Sequence, residues 1–169
     1  RRGGRPDPPD HVVVVVFENH AYSQVIGSSS APYINSLKTG GANLSQSYAE
    51  THPSQPNYFA MFSGSTQGIT DDSCYTPGFS SAPNLASELI AKGKTWGSYN
   101  ETLPSQGSTT CSSGDYARKH NPWFGFSNVP HVQRQDVRAV PDGLLGTPPG
   151  LLRRPEPVQR HARLLGVHR

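Results

Sequence analysis

The chain has 169 residues, of which 33% are hydrophobic and 16% are charged, and its formal net charge is +3. This length predicts about one domain, and the composition excludes collagen, a coiled coil and a mainly disordered chain. The longest apolar run, residues 12–17, is far shorter than the roughly 18 to 20 residues that a membrane-spanning helix needs. We therefore expect no segment of this sequence to cross a bilayer.

The distribution of arginine and of aromatic residues divides the sequence into three segments. A lead rich in Pro, Gly and Arg covers residues 1–10, a body with every aromatic residue covers residues 11–130, and an aromatic-free tail covers residues 131–169. Arg118 is the only arginine of the body, so the basic charge lies at the two ends. We expect the body to fold and the tail to be disordered. A body without a basic face also argues against a nucleic-acid partner.

Strand and helix patterns alternate along the body, and Gly or Pro residues mark their ends. The predicted elements, in chain order, are a strand over residues 11–17, a helix over 31–37, a strand over 43–49, a turn at Ser54 that leads into a helix over 58–62, a helix around Leu85, Leu89 and Ile90, and a strand over 95–99. The β-branched run of the first strand is typical of a parallel strand buried on both faces. This alternation predicts an α/β fold with crossover connections.

Polar residues that follow the predicted strands are the first candidates for a site, because chemistry in such sheets collects beyond the carboxyl ends of the strands. Glu18 and Asn19 follow the first strand and offer oxygen ligands for a divalent cation. The alternative is that they only begin a polar loop. Asp71 and Asp72 are a second acidic pair, for which a solvated turn is the stronger interpretation.

Ser54 is the candidate nucleophile, since the N-terminus of a helix stabilises an anion such as a phosphate under attack by a hydroxyl. A helix-capping serine is the competing interpretation. His120 and Asn121 lie in a loop and are able to donate hydrogen bonds to a phosphate oxygen, although a loop histidine often has no chemical role. Cys74 and Cys111 permit one disulfide or two free thiols.

Four ordered stretches of the body carry a family resemblance. They are His11-Val-Val-Val-Val-Val-Phe-Glu-Asn-His-Ala-Tyr22, Ala31-Pro-Tyr-Ile-Asn-Ser-Leu37, His52-Pro-Ser-Gln-Pro-Asn-Tyr58 and Tyr116-Ala-Arg-Lys-His-Asn-Pro122. Together they resemble the phosphoesterase family of bacterial and fungal acid phosphatases and phospholipases C, within the alkaline-phosphatase-like superfamily. The resemblance implies a three-layer α/β sandwich with a mainly parallel sheet, of which this chain holds the N-terminal part and lacks the C-terminal half.

The resemblance also implies roles for individual residues. Glu18 and Asn19 would bind a divalent metal ion, Ser54 would attack phosphorus and form a phosphoserine, and His120 and Asn121 would line the phosphate pocket. The implied substrate is a small phosphate ester or a phospholipid headgroup, and the implied location is secreted or extracytoplasmic, although the sequence contains no signal-peptide pattern. Phosphomonoester hydrolysis is the first expectation. A phosphodiesterase or phospholipase C and a catalytically inactive fragment are the alternatives.

The tail lacks the second metal-binding segment that the family carries, a pattern like Pro-Asn-Leu-x-x-Asp-Met-His-Asp. Translated one base out of frame, residues 155–163 permit Pro-Asn-Leu-Cys-Asn-Asp-Met-His-Asp. We therefore hypothesise that a frameshift near residues 129–131 replaced the second half of the domain. A site with so few ligands binds metal weakly, so we expect impaired catalysis.

Overall fold

The computed structural model describes residues 9–129 and, beyond them, the backbone of two short strands. The chain divides into two units, residues 1–49 with 149–169 and residues 50–148. In chain order, the elements are β1 (Val13–Phe17), α1 (Tyr22–Val25), α2 (Pro32–Gly40), α3 (Ser54–Ser63), α4 (Leu85–Ala91), β2 (Ser98–Asn100), β3 (Ser112–Ser113), β4 (Tyr116–Ala117), the 3₁₀ helices Arg118–His120 and Pro122–Gly125, β5 (Val137–Ala139) and β6 (Ala162–Gly166). The structure is α/β, as predicted, but helices and strands do not alternate, because α1 to α4 follow one another without a strand between them.

The described β strands form three separate two-stranded sheets. In the first unit, β1 pairs in parallel with β6, with Val13 opposite Ala162. In the second unit, β2 pairs in parallel with β5, and β3 pairs with β4 as an antiparallel hairpin. These pairs do not join into one larger sheet within the described residues, so the three-layer sandwich remains a prediction.

The expected burial of the first strand is wrong. The strand itself forms where it was predicted, but Val13 is 57% exposed and Phe17 is 43% exposed. A pair of strands without a layer packed on its faces leaves alternate side chains in solvent, and a run of valine is consistent with a strand whether or not it is buried. β1 is therefore not the central, covered strand that its composition suggested.

The second predicted strand, over residues 43–49, is also wrong. The structure has turns and irregular backbone there. The two large apolar residues of this stretch, Leu44 and Tyr48, are 63% and 79% exposed. Because they find no core to pack against, alternation of polar and apolar residues does not produce a strand here.

The three longer helices follow their local sequence signals. Pro32 opens α2, where a missing N–H costs nothing. Gly64 ends α3 in the left-handed conformation, with φ of 72°, which glycine adopts without strain. Asn84 caps α4 by accepting a hydrogen bond from the Ser87 N–H at 3.0 Å. These three helix ends thus depend on residues close by in the chain.

The second unit has an aromatic core around α3. Phe59 is fully buried, and its ring contacts Tyr75 edge to face at a centroid distance of 5.1 Å. Phe62, one turn later, packs against Trp123 at 5.9 Å and Phe126 at 5.6 Å. Pairs of this geometry contribute about 0.5 to 1.5 kcal/mol each beyond the area that they bury. Through these contacts the core fixes the position of α3.

The predicted tail, residues 131–169, is described only at β5 and β6. Those eight residues are strands that pair with strands of the body. The remainder of the tail lies outside the described residues, as does most of the lead, residues 1–10. The disorder predicted for the tail and the motif at residues 155–163 therefore stay predictions.

Candidate active site

Ser54 is the first residue of α3 and is half-buried. The residue before it, Pro53, occupies the N-cap position and offers no side-chain hydrogen bond. Ser54 is therefore not the helix-capping serine of the competing interpretation. Among the described residues, no hydrogen bond engages its hydroxyl, which leaves that group available for chemistry.

The turn before Ser54 is held by a side chain of the same helix. The Asn57 amide donates to the Thr51 carbonyl oxygen at 2.7 Å and to the Pro53 carbonyl oxygen at 2.9 Å. In return, the Thr51 N–H donates to Asn57 Oδ1 at 3.1 Å. Asn57 is only 6% exposed, so these hydrogen bonds compete little with water. They fix the direction in which the chain enters α3.

A carboxylate from a distant loop lies at this helix end. The Gln55 N–H donates to Asp72 Oδ1 at 2.9 Å. The Gln55 side chain donates to the carbonyl oxygens of Asp71 and Ser73, both at 2.9 Å. Asp71, by contrast, is exposed and accepts from the Ser73 N–H, as a turn residue does. Of the acidic pair, only Asp71 fits the solvated-turn interpretation.

Asp72 forms an ion pair as well. Lys119 Nζ lies 2.7 Å from Asp72 Oδ2, and the two side chains are 30% and 32% exposed. Partial burial and a short distance make this a stronger contact than a fully solvated pair, for which about 0 to 1 kcal/mol is typical. Sequence reasoning missed Lys119, because the pair joins residues 47 positions apart.

Arg118 is a buried side chain that connects several segments of the same region. It is 5% exposed, donates to the carbonyl oxygens of Thr109 and Tyr75, and lies 4.8 Å from the centre of the Tyr75 ring. Cys74 and Cys111 form a disulfide, with Cα atoms 5.8 Å apart, and Arg118 Nη2 contacts Cys74 Sγ at 2.7 Å. Of the two states left open by the sequence, the structure has the disulfide. A buried guanidinium and a covalent bond thus hold the loop that carries Asp72.

His120 packs against the helix that Ser54 begins. Its ring centre lies 5.1 Å from that of Tyr58, and His120 is half-buried. Tyr58 is four residues after Ser54, and residues four apart share a face of a helix. His120 therefore lies beside the face of α3 that carries Ser54, and its place near a phosphate stays a prediction.

Asn121 has a different position from the one expected of a pocket residue. It is fully buried, its side-chain amide donates to the Tyr116 hydroxyl at 2.9 Å, and its backbone carbonyl oxygen accepts from the Tyr75 hydroxyl. A side chain without access to solvent does not reach a diffusing ligand unless the core opens. This burial favours a structural role for Asn121 over the predicted contact with substrate.

A cavity of about 330 Å³ opens beside the first turn of α3. Gln55, Asp72, Arg118 and Lys119 line it, together with both cysteines. Two cations and one carboxylate give its wall a net positive charge, which favours an anion. The cavity is of the size that small-molecule sites have.

Glu18 and Asn19 lie in the first unit, whereas Ser54 and His120 lie in the second. Glu18 follows β1 directly and is half-buried, and Asn19 has a left-handed backbone with φ of 64°. Their expected approach to Ser54 remains a prediction. Within the described part of the chain, no three His, Cys, Asp or Glu residues form a group able to hold a metal ion.

Comparison with known proteins identifies the family. A model of the phosphoesterase family matches residues 28–141, well over half of the sequence. The chain belongs to the phosphoesterase family. The match covers Ser54, His120 and Asn121, and it continues in the given reading frame past residue 130, where we placed the end of the body.

Curated relatives of this phosphoesterase-family chain are phosphatases by name. A phosphatidylinositol-3-phosphatase of Mycobacterium tuberculosis is 54% identical over 131 residues, which cover 78% of this chain and 44% of that protein. A probable acid phosphatase of Kluyveromyces lactis is 32% identical over 69% of this chain and 28% of its own length. A phosphate-repressible acid phosphatase of Penicillium chrysogenum is 37% identical over 57% and 24%. The chain spans less than half the length of these relatives.

No solved structure shows significant similarity to this chain. Among the described residues, no helix is both long and apolar enough to span a membrane.

Proposed function

We propose that this chain comes from a hydrolase of phosphate esters in which Ser54 is the nucleophile. The observation that carries the proposal is the position of Ser54, which begins α3 with its hydroxyl outside any hydrogen bond among the described residues. The positive end of a helix stabilises an anion placed against it. The family match and the phosphatase names of the relatives support the same reaction.

The proposed reaction has two steps at phosphorus. Ser54 Oγ attacks the phosphorus atom, the bond from phosphorus to the ester oxygen breaks, and the alcohol leaves with a proton. Water then attacks the phosphoserine, the bond from phosphorus to Ser54 Oγ breaks, inorganic phosphate is released, and a proton from the water goes to Ser54 Oγ. His120, beside the Tyr58 face of α3, is placed to hold a phosphate oxygen, whereas the burial of Asn121 removes it from this role.

The proposal keeps Glu18 and Asn19 as ligands of a divalent metal ion, which would activate the nucleophile and offset negative charge when bound. Their carboxylate and amide oxygens suit a hard cation. Two donors are fewer than the roughly six to eight oxygens that such ions take, and the described residues offer no further acidic cluster. The described residues therefore do not make a complete metal site, and no step of the mechanism depends on the metal.

A phosphomonoester is the substrate class that the relatives favour. The relatives are named phosphatidylinositol-3-phosphatase and acid phosphatase, and a phosphatase hydrolyses a phosphomonoester. A small phosphate ester or a phosphorylated lipid headgroup is thus the proposed substrate, ahead of the phosphodiester of a phospholipase C. The disulfide supports a secreted or extracytoplasmic location, since such bonds persist in oxidising compartments.

Impaired activity follows from the frameshift hypothesis, which we retain as a proposal. Sequencing of the coding DNA tests this hypothesis. An intact reading frame, with no alternative frame that encodes the family's second metal-binding segment, contradicts it. The family match continues past residue 130 in the given frame. Comparison of the two reading frames is therefore most informative between residues 130 and 141.

The nucleophile is tested by hydrolysis of p-nitrophenyl phosphate with added divalent metal ions. We compare this chain, a version with the tail restored to the alternative frame, and Ser54→Ala in both. Ser63→Ala is the matched control, because Ser63 is on the same helix but at its other end, where its hydroxyl donates to the Phe59 carbonyl oxygen at 2.8 Å. Ser54→Ala is expected to lower kcat about a thousandfold or more, with Ser63→Ala near the unmodified chain.

Activity in the given chain that Ser54→Ala abolishes supports the nucleophile and contradicts the expected impairment. Activity confined to the restored version, again lost in Ser54→Ala, supports both proposals. Mass spectrometry of the phosphorylated peptide after an acid quench then locates the phosphoserine. Hydrolysis that survives Ser54→Ala refutes Ser54 as the nucleophile.

A further inference from the structure

The N-terminal end of α3 depends on a cap from outside the helix. The first N–H groups of any helix lack partners within it. Pro53 contributes no side-chain cap, and the first turn of α3 contains no acidic residue. Asp72 fills this place, because its Oδ1 accepts the Gln55 N–H at 2.9 Å. The hydrogen bond is made at the residue directly after Ser54.

Lys119 holds the Asp72 carboxylate in that orientation. Its ammonium donates to Oδ2 at 2.7 Å, while Oδ1 faces the helix. The pairing has an electrostatic consequence too. An unpaired carboxylate beside Ser54 would repel a phosphate, and the adjacent positive charge cancels most of that repulsion.

The loop that carries Asp72 is itself anchored on both sides. Gln55 Nε2 donates to the carbonyl oxygens of Asp71 and Ser73, so the loop and the helix hold each other. Immediately beyond, Cys74 is bonded to Cys111. A carboxylate on such a loop has little freedom to move, and a cap with little freedom orders the first turn of the helix that it contacts.

We propose that Asp72, held by Lys119, is a positioning residue for the Ser54 hydroxyl. It acts through the Gln55 N–H and fixes the first turn of α3, so that Ser54 Oγ points along one line of attack. The inference rests on the proposed function for its catalytic consequence, although the capping contact itself is independent of activity. Misplacement of a nucleophile by about 1 Å costs as much as a hundredfold in rate.

Four variants of the full chain separate capping from simple attachment of the loop. Asp72→Ala removes the acceptor, and Lys119→Met removes the residue that holds it. Asp72→Asn keeps an acceptor oxygen. The exchange of charges, Asp72→Lys with Lys119→Asp, restores an ion pair between the two positions but leaves nothing at position 72 that accepts the Gln55 N–H. Asp71→Asn is the matched control, because Asp71 is the exposed neighbouring carboxylate.

Hydrogen exchange, measured residue by residue by NMR, tests the cap without any need for activity. Asp72→Ala is expected to speed exchange of the Gln55 N–H about fivefold, the equivalent of about 1 kcal/mol for a lost cap. The Phe59 N–H, in the middle of α3, serves as the internal reference and is expected to change less. Asp72→Asn retains most of the protection, and the charge exchange does not restore it.

Steady-state kinetics tests the positioning. Asp72→Ala and the charge exchange are expected to lower kcat about tenfold or more, with KM changed less than about twofold, because phosphate binding survives while the hydroxyl is misplaced. Asp72→Asn is expected to recover most of kcat, and Asp71→Asn to match the unmodified chain. A role limited to stability would lower the folded fraction in the same order of variants, so kcat is calculated per folded molecule, with the folded fraction measured by tryptophan fluorescence; a kcat per folded molecule that is unchanged in Asp72→Ala refutes the positioning.

Three results overturn the inference. Unchanged exchange at Gln55 in Asp72→Ala refutes the cap, and a charge exchange that restores both protection and kcat shows that the ion pair serves only to attach the loop. A confirmed cap with unchanged kcat refutes the positioning. Activity that survives Ser54→Ala refutes the proposed function instead, and in a chain without measurable activity the exchange experiment alone decides whether the cap exists.

Discussion

The disulfide between Cys74 and Cys111 is the feature whose removal has the largest calculable effect on stability. The two cysteines are 37 residues apart, and the chain-entropy relation gives a stabilisation of about 4 kcal/mol for a closed loop of that length. Typical domains are stable by only about 5 to 15 kcal/mol in total. The Cys74→Ser, Cys111→Ser double variant is therefore expected to lose a large share of its free energy of unfolding.

Urea unfolding followed by tryptophan fluorescence measures this loss, since Trp96 and Trp123 pack on the core next to Phe62. With a urea dependence of about 2 kcal/mol per molar, the midpoint is expected to fall by about 2 M. The chain has only 2 cysteines, so a reducing agent should lower the midpoint of the unmodified chain by a similar amount and leave the double variant unchanged. A shift of the midpoint equivalent to less than about 1 kcal/mol would refute the argument that this bond stabilises the fold through loop-closure entropy.

Two further predictions concern the core of the second unit. A Cβ atom at Gly125 would lie 2.6 Å from Phe59 Cε1 and 2.9 Å from Phe79 Cε1, so Gly125→Ala is expected to lower the free energy of unfolding by about 1 to 3 kcal/mol. Gly40→Ala is its control, because a Cβ there meets nothing within 4 Å; an equal loss in both would contradict the steric argument. Burial raises the pKa of Tyr116 above 10.0, partly offset by the Asn121 hydrogen bond and the Arg118 charge. The stabilising contribution of Tyr116 is thus complete below about pH 10 and lost as the pH rises through the raised pKa. Urea unfolding between about pH 8 and 11.5 should show that the free energy of unfolding depends less steeply on pH in Tyr116→Phe.

Local sequence signals were sufficient for the three longer helices, but they did not predict α1. Pro32, Gly64 and the spacing of Leu85 and Leu89 each act within one or two turns, and the corresponding helices form with small shifts at their ends. For β structure, the same local signals located β1 but not its exposure, and they also predicted a strand over residues 43–49 that does not form. A valine run is equally compatible with a covered and an exposed strand, and only the partner layers, which the run does not encode, decide between them.

The disulfide bond between the two cysteines and the burial of Asn121 depend on contacts between distant parts of the chain. Asn121 is polar and lies in a motif of polar and basic residues, so its sequence context suggested exposure. In the structure, the side-chain amide of Asn121 donates to the Tyr116 hydroxyl and its backbone carbonyl oxygen accepts from the Tyr75 hydroxyl, whereas Asn121 Oδ1 has no hydrogen-bond partner among the described residues. Neither tyrosine carries a sequence signal for that pairing.

The candidate site also combines features that local sequence predicts with features that depend on distant residues. Ser54 was identified from short-range features, a turn and the start of a helix, and those features also suggested the wrong alternative, a capping serine. The actual cap, Asp72, follows Ser54 by 18 residues, and its cationic partner is 47 residues beyond Asp72. A helix end requires an acceptor from somewhere in the chain, and because Pro53 cannot supply one, a distant side chain was required here. The local pattern therefore predicts Ser54 as the nucleophile, while the contacts at the first turn of its helix come from distant parts of the chain.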